Sequence, residues 1–499
     1  MPGNPELVRL IHEEIRRHGA IPFARYMDLA LHHPEHGYYA QERPLIGREG
    51  DFLTSPSFHP AFARTVWRQV REMLAVLGFR PGASAAAVGR PHATGAPRDR
   101  RGLKGVVGTL RDGARRRRSP ARILEIGAGG GHLARDLLLA ARADGYGPGE
   151  LEYVIVDESR RLQERQRALI AAAWPEAPVR WVPRVEQAGP VHVVLMNELM
   201  SAFPVHRLVC RPAEQAGSAN PPPAGIGVPA GGGAVPAAMG GGSGGRSGSP
   251  QFGAGVGGVP GAGRRPPGRS GDHQHPCEWR ELYVTVQDGR FVQVEGPVSE
   301  PRAVEILRQE GVEPQPGQIV DVNVAAGDML RTIAGALAPR AFVITVDYGG
   351  PAEVVYSPQR PQGTLRGYYR QQVLDDPFAR PGEQDITADL DFTYLQRVGR
   401  SLGLRDLGLI PQGAFLLNLG IEEAEALPLA RRAWQGDLAA DQEMQRVYAL
   451  YAPEGLGEAF WVLIQARGFR WRAPRLKGLR SPWPTPPSLG ELMAKARQA

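Results

Sequence analysis

Apolar positions recur at helical spacing near the start of the chain. Leu7, Ile11 and Ile15 mark one stripe, and Phe62, Val66, Val70, Met73, Leu74 and Leu77 mark a second. Residues 5–79 therefore read as largely helical. A turn-rich passage, HHPEHGYYAQERPLIGREGDFLTSPSFHP (32–60), separates the two stripes. From residue 121 the pattern changes. Short apolar runs at Arg122–Ile126, Tyr153–Val156, Val179–Val182 and His192–Met196 predict strands. Amphipathic stretches at His132–Ala143 and Arg160–Ala173 predict the helices between them. Strands alternating with helices imply an α/β fold, a parallel sheet with helices on both faces. Further on, Trp279–Val286 and Arg290–Val294 read as a hairpin across Asp288-Gly289, and Ala341–Val346 as a strand ending at Asp347-Tyr348-Gly349. Helices are expected at 391–402, 421–431 and 436–451, and a strand at 459–466.

Composition divides this pattern into segments. The chain of 499 residues holds 63 Gly and 46 Pro, too many for a uniformly packed globule. The excess is concentrated in Pro212–Gly271, where 20 of 60 residues are Gly and 10 are Pro. With few large apolar residues and no periodicity, that stretch reads as a disordered linker. A second segment is basic. Residues 80–122 carry eleven Arg, one Lys and two Asp, against a net charge of +7 for the whole chain, so the remainder is net acidic. This segment lacks the aromatics that stack on bases. A solvated insert is the expectation, with RNA or another polyanion the lesser one. The domain layout expected is a helical cap at 1–79, a basic insert at 80–120, a first core part at 121–210, a linker at 211–276 and a second core part at 277–499. Two cysteines, Cys210 and Cys277, exclude a disulfide scaffold and a four-cysteine zinc site. No apolar run approaches the ~20 residues of a membrane-spanning helix. The N-terminus lacks a signal-peptide core, so a cytoplasmic location is the default expectation.

The strongest chemical signal is ILEIGAGGGHLARDLL, residues 123–138. A strand runs into Glu125-Ile126-Gly127-Ala128-Gly129-Gly130-Gly131 and then a helix. Glycines there let the backbone turn sharply and a ligand lie against bare main chain. A dinucleotide loop fits only in a shifted match, Gly129-x-Gly131-x-x-Ala134. The pattern Glu-x-Gly-x-Gly-x-Gly suits S-adenosylmethionine (SAM) better, because that ligand is cationic and Glu125 stands at the strand end. The next strand ends at Asp157, where a carboxylate can accept from both ribose hydroxyls. Capping the following helix is the competing role for Asp157. The fourth strand ends at Asn197-Glu198, at the edge where open α/β sheets bind ligands. Asn197 could position donor or acceptor, and Glu198 could hold a cationic acceptor such as guanidinium. The run Asp385 to Asp391 has closely spaced carboxylates, but helix capping by Asp391 accounts for them more simply than a metal, and none is expected.

These motifs converge. The chain resembles the MidA-like SAM-dependent methyltransferases through HPEHGYY (33–39), GDFLTSP (50–56), LEIGAGGG (124–131), YVIVDESRRLQERQ (153–166), MNELMSAFPVHR (196–207), VDYGG (346–350) and GTLRGYYRQQVLDDPFARPGEQDITADLDFTYL (363–395). The resemblance covers the ordered stretches and neither insert. It implies a Rossmann-like class I methyltransferase core with an N-terminal helical cap and additional C-terminal α+β elements. It further implies SAM as cofactor, bound by Gly127, Gly129, Gly131, Asp157 and Asn197. The cap loop holding Gly50-Asp51-Phe52 and Thr54-Ser55-Pro56 would lie over the site. Characterised members methylate arginine on a subunit of the respiratory NADH dehydrogenase, so a protein substrate of that kind is implied, with room for a homodimer. Four positions depart from the family pattern: Ser57, Ser201, Gln371 and Asp389 stand where Glu, Asp, His and His are usual.

The expected chemistry is in-line methyl transfer to a nitrogen. A fully protonated guanidinium is not a nucleophile. Carboxylates must hold it and localise its charge away from the attacked nitrogen, and Glu198, Asp51 and Asp347 are the candidates in that order. Two other readings stay open at this level: a non-catalytic SAM-binding assembly factor, and an NAD-dependent oxidoreductase resting on the shifted glycine match.

Overall fold

The computed structural model describes residues 2–41, 43, 45, 50–51, 54–81, 119–212, 277–469 and 473–498. The basic segment (82–118) and the Gly/Pro-rich segment (213–276), on which two sequence expectations fell, lie outside them. Among the described residues an eight-stranded sheet carries the fold. Seven strands lie in the order Arg405–Pro411, Phe460–Arg467, Leu337–Gly350, Val191–Asn197, Ala121–Ile126, Leu151–Val156 and Val179–Val182. The two-residue strand Leu390–Asp391 pairs at the end of Leu337–Gly350. Neighbours from Leu337–Gly350 to Val179–Val182 are parallel, and Phe460–Arg467 runs antiparallel to both of its neighbours. The chain steps outward from Ala121–Ile126 through two strands. It then returns to the other side of that strand at Val191–Asn197. This reversal opens a crevice at the carboxyl ends of those two central strands.

Alternation along the central strands explains the layering. Ile123, Tyr153, Ile155, Val193 and Leu195 face one core, shared with helices Ala61–Leu77, His132–Ala143, Gln412–Asn418 and Leu438–Ala449. Leu124, Ile126, Val154, Val156, Val194 and Met196 face the other, shared with helices Pro301–Glu310, Val324–Ala336 and Phe392–Ser401. Both faces are buried, so these strands read as continuous apolar runs.

A second, antiparallel sheet is built from the chain between Val191–Asn197 and Leu337–Gly350 together with Ile21–Pro22. Strand Cys277–Gln287 lies at its middle, flanked by His206–Pro212 and Ile21–Pro22 on one edge and by Arg290–Gly296 on the other. Ile319–Val322 pairs outside His206–Pro212. The hairpin turn uses Asp288 and Gly289, both left-handed at φ 49° and 74°, as an Asp-Gly turn requires. Pro212 and Cys277 are direct register partners. The described chain therefore ends at Pro212 and resumes at Cys277 side by side.

The expected cap at 1–79 divides. Helices Pro5–His18 and Phe23–His32 bury Leu7, Ile11, Ile15, Phe23 and Met27 against the second sheet, with Val284 and Phe291. Helix Ala61–Leu77 instead buries Phe62, Val66, Val70 and Met73 in the main core. Between them the single turn Ser55–Phe58 sits at the carboxyl end of the main sheet, with the Ser55 N–H on Glu198.

Candidate functional site

The glycine loop leaves the first strand at the crevice. Gly127, Gly129 and Gly131 have φ 71°, 51° and 83°, a left-handed region that side chains beyond glycine enter at a cost. At Gly127 space is also short, since a Cβ would stand 2.8 Å from Leu199 Cδ1. Helix His132–Ala143 begins directly after Gly131, leaving unpaired N–H groups at its first turn.

Beneath the loop lies a polar layer. The Tyr153 hydroxyl donates to Glu125 Oε2 at 2.7 Å. Asp157 Oδ1 accepts the Ser159 N–H at 3.0 Å, and Oδ2 accepts Gln166 Nε2 at 2.7 Å. The same Gln166 amide donates to the Gly129 carbonyl at 2.8 Å, and its Oε1 accepts Trp181 Nε1 at 2.9 Å. One side chain thus ties the second strand end to the glycine loop. The side-chain cap of helix Arg160–Ala173 is Ser159, which accepts from Leu162 N. Burial raises the carboxyls of both Glu125 and Asp157 to about 7.

Asn197 and Glu198 close the crevice opposite the glycines. Glu198 is a non-glycine residue at φ 53°, a strain that typically persists only where surroundings enforce it. Its Oε1 accepts the Ser55 N–H at 2.8 Å and Asn197 Nδ2 at 3.0 Å. Its Oε2, and Oδ1 of Asn197, are buried with no partner. Burial, opposed by the Ser55 and Asn197 hydrogen bonds, pushes the Glu198 carboxyl up to about 8.

A narrow cleft is lined by Glu125, Gly127, Gly129, Asn197, Glu198 and the cap residue Thr54, among others. The structure thus brings five of the nine sequence-selected residues to one cavity. Gly131 and Asp157 do not line it. Asp347 and Asp51 have other partners. Asp347 Oδ2 accepts the N–H groups of Leu199, Met200 and Ser201 at 3.1, 2.8 and 3.2 Å, and Oδ1 accepts Tyr348 N at 2.9 Å. Its carboxylate is spent on folding the loop after Glu198, so it has little capacity left for a guanidinium. Asp51 is fully buried and accepts from Tyr38, Arg43 and the Arg370 N–H. Neither carboxylate, expected to meet the substrate, lines the cleft.

The four departures from the family pattern have local work. Ser57 forms a capping box with Thr54. The Ser201 side chain hydrogen-bonds Asp347. Gln371 Nε2 reaches the Gly50 carbonyl at 3.5 Å. Asp389 pairs with Arg360 and Arg366. Asp391 caps helix Phe392–Ser401 through Tyr394 N. Sequence reasoning missed Gln166 and Gln412. The latter is fully buried, accepts the Ser55 hydroxyl at 3.2 Å and donates to the Leu450 carbonyl at 2.9 Å. A glutamine nine positions after Asp157 was a signal available for Gln166; none marked Gln412.

Two buried acceptors without donors, facing a glycine-lined cleft, suit a ligand that is cationic and rich in N–H groups. SAM carries a sulfonium and an ammonium and suits the Asn197 oxygen, which leaves the Glu198 oxygen for a second cationic group.

Comparison with known proteins agrees. A family model described as "Putative S-adenosyl-L-methionine-dependent methyltransferase" matches residues 109–410. The chain is 31% identical over 192 residues to the mitochondrial protein arginine methyltransferase NDUFAF7 of Rattus norvegicus, a stretch covering 37% of this chain and 40% of that protein. It is 23% identical over 458 residues to the Drosophila melanogaster homolog, covering 84% and 75%. The chain thus matches about two fifths of the length of the rat relative. A Burkholderia thailandensis protein whose crystal structure holds S-adenosyl-homocysteine superposes with TM-score 0.65 at 28% identity, over 95% of this chain and 94% of that one. The choice of cofactor left open by the glycine loop falls to SAM, and the chain belongs to this family of SAM-dependent methyltransferases.

Proposed function

We propose that the protein transfers a methyl group from SAM to an arginine nitrogen of another protein. The single observation carrying this is the Glu198 carboxylate. One oxygen is fixed by the cap, and the other is buried at the cleft with no partner. A guanidinium offers paired N–H donors in a fork that matches a carboxylate. The naming of the rat and fly relatives as protein arginine methyltransferases supports the same acceptor.

The cofactor supplies an electrophilic methyl group, so the chain's own task is positioning and electrostatics. Glu125, Gly127, Gly129 and Asn197 are assigned to its seat, with Gly131 and Asp157 supporting the loop through Gln166. Glu198 holds the acceptor and draws its charge away from the attacked nitrogen. That nitrogen gains a carbon and gives up a proton. The ionised form of the Glu198 carboxyl, raised to about 8, can take that proton, and it becomes populated as pH rises toward that value. Asp347 and Asp51 keep the loop and cap in register. A subunit of the respiratory NADH dehydrogenase is the first substrate to try.

Purified protein incubated with labelled SAM and a proteome extract, followed by mass spectrometry, tests the reading. Label on arginine supports it. Label on lysine, histidine or RNA would replace the acceptor while leaving the methyltransferase assignment in place.

A further inference from the structure

The hairpin Arg366–Tyr369 and Gln372–Leu374 turns through only two residues, Arg370 and Gln371. Both are left-handed, at φ 46° and 67°. Two-residue turns of this kind are the place of Asn-Gly, because other side chains resist that backbone conformation. Neither residue here relieves the strain, so something outside the hairpin must hold it.

That partner is Asp51. Its carboxylate accepts the Arg370 N–H at 2.6 Å, and its backbone carbonyl accepts the Gln371 N–H at 3.0 Å. The same carboxylate is fully buried, accepts the Tyr38 hydroxyl at 3.1 Å and pairs with Arg43. The Arg43 guanidinium lies 5.9 Å from the centre of the Tyr369 ring, at the base of the turn. Four residues beyond Asp51 the cap turn begins at Ser55, whose N–H sits on Glu198. The residue that holds the strained hairpin tip and the amide that orients Glu198 are therefore four positions apart in sequence.

We propose that Asp51 is a positioning residue that latches this hairpin to the cap, so that the left-handed turn at 370–371 holds the Ser55 N–H on Glu198. The inference rests on reading the cleft as the methyl-transfer site, but its test does not need the acceptor to be known. Asp51→Ala removes the latch. Hydrogen exchange of the peptide covering 54–58, followed by mass spectrometry on the full chain, is expected to accelerate at least tenfold. SAM affinity by calorimetry is expected to fall about tenfold. Placing Asn-Gly at the turn makes the left-handed conformation intrinsic. The triple variant Asp51→Ala, Arg370→Asn, Gln371→Gly should therefore recover most of the exchange protection and affinity. The double variant Arg370→Asn, Gln371→Gly should match the wild type and reports on folding. Unchanged exchange in Asp51→Ala would overturn the latch. So would accelerated exchange that the Asn-Gly turn fails to restore, because Asp51 would then act through Tyr38 and Arg43 alone. A wild type that bound no SAM would instead sink the reading of the cleft, while the exchange comparison would still decide the latch.

Discussion

The backbone N–H of Ser55 donates to Oε1 of Glu198 at 2.8 Å, across 143 positions of sequence. The cap thereby uses one oxygen of the carboxylate and leaves Oε2 buried without a donor. Leaving such an atom unpaired costs roughly 1–3 kcal/mol, a cost that a ligand supplying the missing donor recovers.

Glu198→Gln tests this division of labour. The amide oxygen of glutamine can still accept from Ser55, so the cap should stay seated. The negative charge facing the acceptor is lost. S-adenosylhomocysteine binding by calorimetry should stay within about threefold, while methyl transfer falls at least tenfold, about 1.4 kcal/mol in barrier. Wild-type transfer rates in the variant would remove Glu198 from the chemistry.

The same carboxyl sets a pH dependence. Burial holds it protonated up to about 8, and only the ionised form can draw guanidinium charge or take its proton. Transfer should therefore rise with pH between about 6.5 and 8.5, and the Glu198→Gln variant should lose that limb. A wild-type profile that is flat or falling across this range contradicts the assignment.

Stability should move the opposite way. Glu198 has an ordinary value of 4.5 and a folded value of about 8. Between those two values the folded chain keeps a proton that the unfolded chain has released. The folded state binds more protons there, so this group's contribution falls as pH rises. Glu198→Gln removes that penalty. Its Tm relative to wild type should climb between pH 5 and pH 8, by on the order of 1–3 °C. A constant difference across the range would mean that the carboxyl titrates normally.

Much of this was legible in the sequence because the physics was local. The alternation over Arg122–Ile126, His132–Ala143, Tyr153–Val156 and Arg160–Ala173 places each element within two residues of its observed bounds. Both faces of that sheet are buried, so its strands are unbroken apolar runs. The second sheet was harder to read. Strand Ile319–Val322 has four residues, and His206–Pro212 finds its partner at Cys277–Gln287, beyond the Gly/Pro-rich segment. The cleft residues Glu125, Gly127, Gly129, Asn197 and Glu198 follow strand ends, which a pattern marks. What Asp347 and Asp51 do was hidden, because a carboxylate bound to backbone amides looks the same in sequence as one awaiting substrate. Gln412 touches Ser55 across 357 positions, and no local rule reaches that far.

Gly127→Ala isolates the loop. The substitution meets a left-handed backbone at φ 71° and a Cβ contact of 2.8 Å to Leu199. Strain of this kind costs about 1–3 kcal/mol, and Leu199 follows directly on Glu198. SAM affinity should drop at least tenfold with the far-ultraviolet circular dichroism preserved. Affinity unchanged by the methyl group would place the ligand elsewhere.

Gln166 offers the sharpest test of how the second strand end is held. It is fully buried, and its amide makes three hydrogen bonds, to Asp157, to the Gly129 carbonyl and from Trp181. Gln166→Leu keeps the volume and strands all three partners, each at a cost of roughly 1–3 kcal/mol before relaxation. If Gln166 fixes the loop at Gly129, SAM affinity should fall more than tenfold. Asp157→Asn is the control. Its amide oxygen can still accept from Gln166 or Ser159, so the loop stays tied while the charge is lost. Affinity should then fall less than in Gln166→Leu, because the Gln166 amide still holds the Gly129 carbonyl. The reverse order, with Asp157→Asn the more damaging, would mean that the charge of Asp157 matters and its tether to the loop does not.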